Sequence, residues 1–288
     1  MAARPPGLSG YLADWSPAPV TEEDVLAARP VAAFAALLDR EDAPGAGEPL
    51  PPLWHWFHFP DWPPQRALAA DGHLAEGRFI PPIPGRRRMF AGGRLTVRRP
   101  LEIGAAATCT SALAAARVRR GRTGELAFVT VRSEYRQGGA PRLVEEQDLV
   151  YRAGEAPHRA FERPSGPPEP TAAPWQARPA LSETLLFRFS ALTANPHRIH
   201  YDEPYVRRVE GYPGLVVHGP LLALLMLELV REHRPDATVT EFTYRLRHPV
   251  FLGDEFLVSG GPEGTDAVRL AVTTAGERVV AEGRVSLR

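Results

Sequence analysis

The stretch Leu221-Leu-Ala-Leu-Leu-Met-Leu-Glu-Leu-Val230 is apolar on nearly every side when wound at 3.6 residues per turn, and Glu228 is its one charged member. A helix without a polar face demands burial all round. At ten residues it is shorter than the roughly 18 that a bilayer span requires, so it is a core helix. The residues beyond it supply the cover. Thr238 to Leu246, Glu255 to Ser259, Val268 to Thr273 and Val279 to Leu287 are short β-branched and apolar runs parted by turn residues, the pattern of antiparallel strands. A sheet wrapped around one long helix follows.

The first half repeats this plan. Arg94 to Arg98, Ala106 to Arg119, Leu126 to Tyr135 and Leu143 to Tyr151 read as four strands. Arg98-Arg-Pro-Leu-Glu-Ile-Gly104 matches Arg247-His-Pro-Val-Phe-Leu-Gly253, and Leu143-Val-Glu-Glu146 matches Val279-Val-Ala-Glu282. Such self-similarity at domain scale points to a duplicated unit, although Pro and Gly also punctuate strand ends in unrelated β proteins. The fold expected is α+β, a double hot-dog: an antiparallel sheet around a central helix, twice in one chain. Residues 1–152 form a degenerate first unit, 153–179 a Pro/Ala/Glu-rich linker, and 180–288 the unit with the helix. Three further elements are expected: a helix from the Thr21 cap through Leu38, strained at Pro30, a short aromatic strand Leu53 to Phe59, and a strand Leu185 to Phe189.

Composition excludes several functions. The 288 residues carry 34 Lys plus Arg and 34 Asp plus Glu, so no basic field exists to hold nucleic acid. The lone Cys109 permits no intrachain disulfide and no cysteine-rich metal site, which fits a reducing cytosol. Met1 to Val20 lacks the pattern of an export signal, so the expected location is cytoplasmic, away from membranes. No Gly-rich phosphate loop, His-Glu-x-x-His or Gly-x-Ser-x-Gly occurs, and neither a metal nor a cofactor is expected.

The chemistry concentrates between the expected strand at Leu185 and the buried helix. There the chain runs Phe189-Ser-Ala-Leu-Thr-Ala-Asn-Pro-His-Arg-Ile-His-Tyr-Asp202, then Gly214-Leu-Val-Val-His-Gly-Pro220. Asn195 and His200 would be about 140° apart on a regular helix, so they share a site only if Pro196 to Ile199 turns. His is the usual acid/base near neutral pH, while Asn-Pro is also a common turn opener.

This segment resembles the MaoC-like (R)-enoyl-CoA hydratase family, whose signature is Ser-x-x-Thr-Gly-Asp-x-Asn-Pro-Ile-His-x-Asp followed by Val-His-Gly. Thr193 falls on the family's Thr, Asn195 on its catalytic Asp, His197 on its Asn, Arg198 on its Pro, His200 on its catalytic His and Asp202 on the trailing Asp. The run Asn-x-His-Arg-Ile-His-Tyr-Asp, with Arg87 to Leu95 and Val144 to Tyr151, is similar to the two-domain branch of mesaconyl-C4-CoA and itaconyl-CoA hydratases and fungal mitochondrial 3-hydroxyacyl-thioester dehydratases.

The resemblance implies a carbon–oxygen lyase that hydrates a 2-enoyl thioester, acyl-CoA or acyl-carrier protein, or dehydrates the 3-hydroxyacyl form, with a homo-oligomer expected. It implies His200 as general acid/base. An amide cannot accept a proton at neutral pH, so Asn195 is left to orient the water. The free amides of Gly219 and Leu221 at the helix start would hold the thioester oxygen, where enolate charge develops. His197 and His218 flank the substrate in this reading. Arg198 would meet a second acyl carboxylate, and Arg86, Arg87 and Arg88, with Arg207 and Arg208, the phosphates of the thioester carrier. His55 and His58 are read as pocket wall. The departure at Asn195 keeps open a non-catalytic acyl-thioester binding subunit, and the fold keeps open a hot-dog thioesterase.

Overall fold

The computed structural model describes residues 7–121, 124–153, 163, 166–276 and 278–288. Its elements run α1 (Leu8–Leu12), β1 (Val20–Val25), α2 (Ala28–Leu37), β2 (Arg87–Val97), β3 (Ala106–Gly121), β4 (Gly124–Gln137), β5 (Ala140–Arg152), β6 (Trp175–Ala177), α3 (Glu183–Leu192), α4 (Glu203–Arg208), α5 (Gly219–His233), β7 (Val239–Leu246), β8 (Phe256–Pro262), β9 (Ala267–Thr274) and β10 (Arg278–Leu287). The strands pair antiparallel in one sheet of order β1-β3-β4-β5-β2-β7-β10-β9-β8-β6. Read from its centre outward, the order is the same in both directions. β2 and β7 join the halves, with Gly93 opposite Tyr244 and Leu95 opposite Phe242.

Matched hydrogen bonds show how far the duplication extends. Arg98 and Arg99 both donate to Arg142 O, as Arg247 and His248 both donate to Val280 O. Leu50 N donates to Leu101 O and Ile103 N to Glu48 O, as Val217 N donates to Val250 O and Leu252 N to Leu215 O. Gly104 and Gly253 close the two repeats at φ 88 and 87, a backbone that favours glycine. The last-strand alignment shifts, however: Leu143 lies opposite Val97 and Ala281 opposite Leu246, so Leu143 corresponds to Ala281 and not to Val279. A shift of two keeps every side chain on its face, so alternation alone does not reveal it.

In the second repeat Val217 leads into α5, whose residues Leu221 to Val230 are all buried, with contacts to β2, β6, β8, β9 and β10. This is the double hot-dog, α+β. In the first repeat the equivalent Leu50 leads only into a 3₁₀ turn, Trp54–Phe57, where a strand was expected. Leu53 enters it at φ 67, and the rings of Trp54 and Phe57 pack on Phe34 with centroids 4.8 and 4.4 Å away. Burial of those rings replaces strand pairing. Glu228 of α5 accepts from Trp54 Nε1 at 3.0 Å and from Arg40 at 2.6 Å, which ties the full helix to its reduced counterpart.

Two other expectations are overturned by tertiary context. Thr21 to Asp24 pairs with β3, from Val20 opposite Ser111 to Val25 opposite Ala106, so the helix starts only at Ala28. Pro30 then falls in the first turn, where its missing donor is harmless. Leu185 to Phe189 is helical, because Ser182 Oγ caps the Leu185 amide at 3.2 Å and Leu186, Phe189 and Ser190 bury one helical face. Within 153–179, residues 154–162, 164 and 165 lie outside the described residues, while Trp175 to Ala177 is an edge strand on β8. Among the described residues no helix is long and apolar enough to cross a membrane.

Candidate active site

The turn after α3 is built from local hydrogen bonds. Thr193 Oγ1 donates to Phe189 O at 2.7 Å, Ala194 takes φ +48, and Asn195 N returns to Ser190 O at 2.8 Å. Asn195 Oδ1 accepts from the His197 amide at 3.2 Å, an Asx turn that starts the 3₁₀ segment Arg198–His200. Asp202 ends the turn by capping α4 through the Tyr205 amide at 3.0 Å. Val216 N then bonds Ile199 O at 2.9 Å, which fastens the turn to the strand-like segment leading into α5.

This folding swings His200 inward. Its side chain is buried, and Nδ1 lies 2.7 Å from Val216 O, a carbonyl that can only accept. Nδ1 therefore carries the hydrogen and Nε2 presents a lone pair. Burial pushes the imidazole down to about 4, against the opposing Val216 hydrogen bond and with help from the charges of His73 and Arg88. A neutral ring at pH 7 is the form a base requires. His218 stacks on it, centroids 3.6 Å apart, and is itself anchored by Ser190 Oγ at 2.8 Å from Nε2. Burial holds His218 well below the ordinary histidine range.

His218 is also the N-cap residue of α5, so the ring stacked on His200 stands at the helix start. Gly219 is the first helical residue and Pro220 the second. The amides of Gly219 and Leu221 belong to the first turn, where no intrahelical acceptor exists. Leu221 offers only its backbone, its side chain being fully buried in the core. A Cβ on Gly219 would meet Leu246 Cδ1 and touch Phe90, so any side chain there must displace the end of Leu246.

Asn195, His197, His200 and Gly219 line one open groove of about 2390 Å³ that continues past His55 and Trp56 in the first half. His55 and His58 do stand at its wall, on the 3₁₀ turn and just beyond it. His55 Nε2 lies 2.9 Å from the buried Glu145. Burial lowers His58 to about 4.

The arginines divide. Arg198 donates twice to Asp202 Oδ2, at 2.9 and 2.7 Å, and once to Ala70 O at 2.9 Å, while stacking 3.9 Å over Tyr205. Its donors hold the turn together. Arg87 pairs with Glu210 at 2.9 Å. Arg86 donates to the carbonyls of Ile83, Leu74 and Ala75. Arg207 pairs with Glu203 along α4. Arg87 and Arg88 both line the groove, and the charge of Arg88 lowers both His73 and His200.

Sequence reasoning missed a second contribution. The first half projects a tight loop in which Ala69 N bonds His73 O at 2.7 Å and Gly72 N bonds Ala69 O at 3.0 Å. Gly72 has φ +93, and a Cβ there would strike Pro196 O. The loop thus lies directly on the Asn195–His200 turn, and Asp71 O accepts from Arg198 N at 2.9 Å. Asp71 and His73 flank that contact and line the groove. The signal available was Asp71-Gly-His73, an Asp-Gly turn holding a histidine amid polar loop sequence. Asp71, His73 and His197 bring donor atoms within 4.8 Å of one another, a set that a metal ion could use. The positive charges of Arg86 and Arg88 beside His73 oppose a cation there.

A double hot-dog with one turn, one neutral imidazole and one bare helix start defines the MaoC-like dehydratase class. A solved MaoC-like dehydratase superposes with a TM-score of 0.72, covering 96% of this chain and 99% of that one at 16% identity. HtdX of Mycobacterium tuberculosis gives 0.62, over 93% and 99%, at 20% identity. Within that class, the hydroxyacyl-thioester dehydratase type 2 family matches residues 53–252, and this chain belongs to it. The mesaconyl-C(4)-CoA hydratase of Chloroflexus aurantiacus is 45% identical over 269 residues, 88% of this chain and 94% of the relative. The mitochondrial hydroxyacyl-thioester dehydratase type 2 of Schizosaccharomyces pombe is 34% identical over 104 residues, 35% of each. The activity is that of a thioester hydratase/dehydratase, a carbon–oxygen lyase.

Proposed function

We propose that this chain adds water to a short branched 2-enoyl-CoA bearing a second carboxylate, of the mesaconyl-C4-CoA type, or removes water from the corresponding hydroxyacyl-CoA. The observation that carries the reading is His200: a buried imidazole tied through Nδ1 to Val216 O, its Nε2 open, one residue-stack away from the bare amides of α5. In hydration Nε2 takes a proton from water as the water oxygen bonds to the β carbon. The π electrons move onto the thioester oxygen, where the amides of Gly219 and Leu221 hold the enolate. His200 then returns its proton to the α carbon and the carbonyl re-forms.

Asn195 uses Oδ1 to hold the turn, which leaves Nδ2 to meet the water. Arg88 is the cation for the second carboxylate: it lines the groove and its charge reaches His200, while Arg87, also on the groove, is paired with Glu210 and Arg198 is paired with Asp202. The 45% identity to a mesaconyl-C(4)-CoA hydratase supports that substrate class. Residues 180–288 carry the reacting groups in this proposal and 1–152 the acyl wall, with 153–179 between them.

The test is a panel of enoyl-CoA thioesters read by mass spectrometry for the gain of one water, with the wild type and His200→Ala. Turnover of a branched dicarboxylic enoyl-CoA that vanishes in a folded His200→Ala protein is the expected result. A variant that keeps full turnover refutes the assignment.

A further inference from the structure

We propose that His73, oriented by Asp71, is the second catalytic group of this hydration, reaching the water from the first half of the chain and standing in for the carboxylate that position 195 lacks. This rests on His200 acting as proposed above. The Asp71 carboxylate meets His73 twice, Oδ1 accepting from the backbone amide at 3.0 Å and Oδ2 lying 3.0 Å from Nδ1. A carboxylate oxygen can only accept, so Nδ1 carries the hydrogen and Nε2 is the open lone pair, as in His200. The ring is held in one tautomer and one orientation by a group behind it, the arrangement by which a carboxylate fixes a catalytic imidazole.

Position follows from the loop. His73 lies against His197, centroids 3.9 Å apart, and His197 meets His200 edge to face at 5.6 Å. His73, His197 and His200 all line the groove. Burial pushes the Asp71 carboxyl up, but the hydrogen bonds from His73 oppose it and hold Asp71 below the ordinary carboxylate range.

In this proposal one water meets both open nitrogens beside His197, which touches both rings, and has a use for each. His200 Nε2 takes one proton as the oxygen bonds to the β carbon. The other O–H stays intact, becomes the product hydroxyl, and donates to His73 Nε2, which aims the oxygen lone pair at the double bond. In dehydration His200 takes the α proton and delivers it to the hydroxyl, which leaves as water while His73 holds its remaining O–H. Asp71 touches no reacting atom and is a positioning residue.

The experiment measures steady-state kinetics of Asp71→Asn, His73→Gln and His73→Ala on the thioester that the wild type turns over. Asp71→Asn keeps the backbone bond from Arg198, so the loop remains clamped. Its kcat should fall by about 100-fold with KM within about threefold, the pattern of a group used in the transition state. Added imidazole should restore part of the His73→Ala turnover, which a merely structural histidine would not permit. His73→Gln, which keeps an acceptor, should fall less than His73→Ala.

Wild-type kcat in Asp71→Asn and His73→Ala overturns the proposal while a dead His200→Ala leaves the function intact. No hydration by the wild type at all sinks both. Turnover that is lost to a chelator and regained with Zn²⁺ also overturns it, since Asp71, His73 and His197 would then hold a metal.

Discussion

His200 and His218 lie face to face, their ring planes 17° from parallel and their centroids 3.6 Å apart. The stack fixes the His200 ring from one side while Val216 O fixes it from the edge. Both constraints are present before substrate arrives, so little reorganisation is left for the moment of reaction. The charge of His200 would also oppose protonation of His218, which burial already disfavours.

The rate should therefore hold to unusually low pH. His200 ionises at about 4 in place of 6.5, so kcat/KM should stay level through pH 6 and fall only toward 4. Stability has the same sign. Between 6.5 and about 4 the unfolded chain binds a proton at this position and the folded chain does not, so stability declines as pH falls through that window. For His200 alone the loss is about 3 kcal/mol, and His58 adds to it in the same direction. Denaturant titrations at pH 7.5 and 4.5 check this, and an acid limb near pH 6.5 would contradict it.

Gly219→Ala should damage the helix start without unfolding the chain. The new methyl meets Leu246, so either Leu246 or the oxyanion amides must move. A kcat loss of about 10-fold or more is expected from displaced donors. Leu246→Ala in the same chain makes room, and the double variant should recover activity relative to Gly219→Ala alone.

Arg198 and Arg88 should separate by substrate. Arg198→Ala removes hydrogen bonds to Asp202 and Ala70 O, so kcat/KM should drop by one common factor for mono- and dicarboxylic enoyl-CoA. Arg88→Ala should act on the dicarboxylic substrate far more, by about 10- to 100-fold for a lost charge-assisted contact. Parallel kinetics on crotonyl-CoA and mesaconyl-C4-CoA decide it, and equal losses for Arg88→Ala would remove it from the carboxylate site.

Glu228→Gln should destabilise by about 3 kcal/mol, because it removes the carboxylate that Arg40 and Arg231 share and leaves them only the exposed Asp42. Burial raises the Glu228 carboxyl, and Arg231, Arg40 and Trp54 pull it back. Pairing Glu228→Leu with Arg40→Met should regain part of that loss in chemical denaturation, since only Arg231 then loses the carboxylate and it keeps Asp42.

The buried helix and the strands of both halves were legible because each carries its own periodicity: Leu221 to Val230 is apolar at every turn, and the strands alternate. His200 was legible through the turn and the His-Gly-Pro that follow it. What failed were segments decided by distant partners. Thr21 to Asp24 has a good capping pattern, yet β3 offers it an edge. Leu185 to Phe189 has the composition of a strand, yet Ser182 caps it and one helical face is buried. Asp71 and His73 were invisible for a related reason. Their meaning depends on a contact with Pro196 more than 100 residues away, which no local pattern records.

The pairing of β2 with β7 makes the sheet one uninterrupted hydrogen-bonded ladder. Severing the chain between its repeats would bare two long strand edges, each a template for further strands, so a C-terminal fragment expressed by itself should aggregate. Co-expressed with its other half, the same fragment has a partner for β7, and complementation should return a soluble particle.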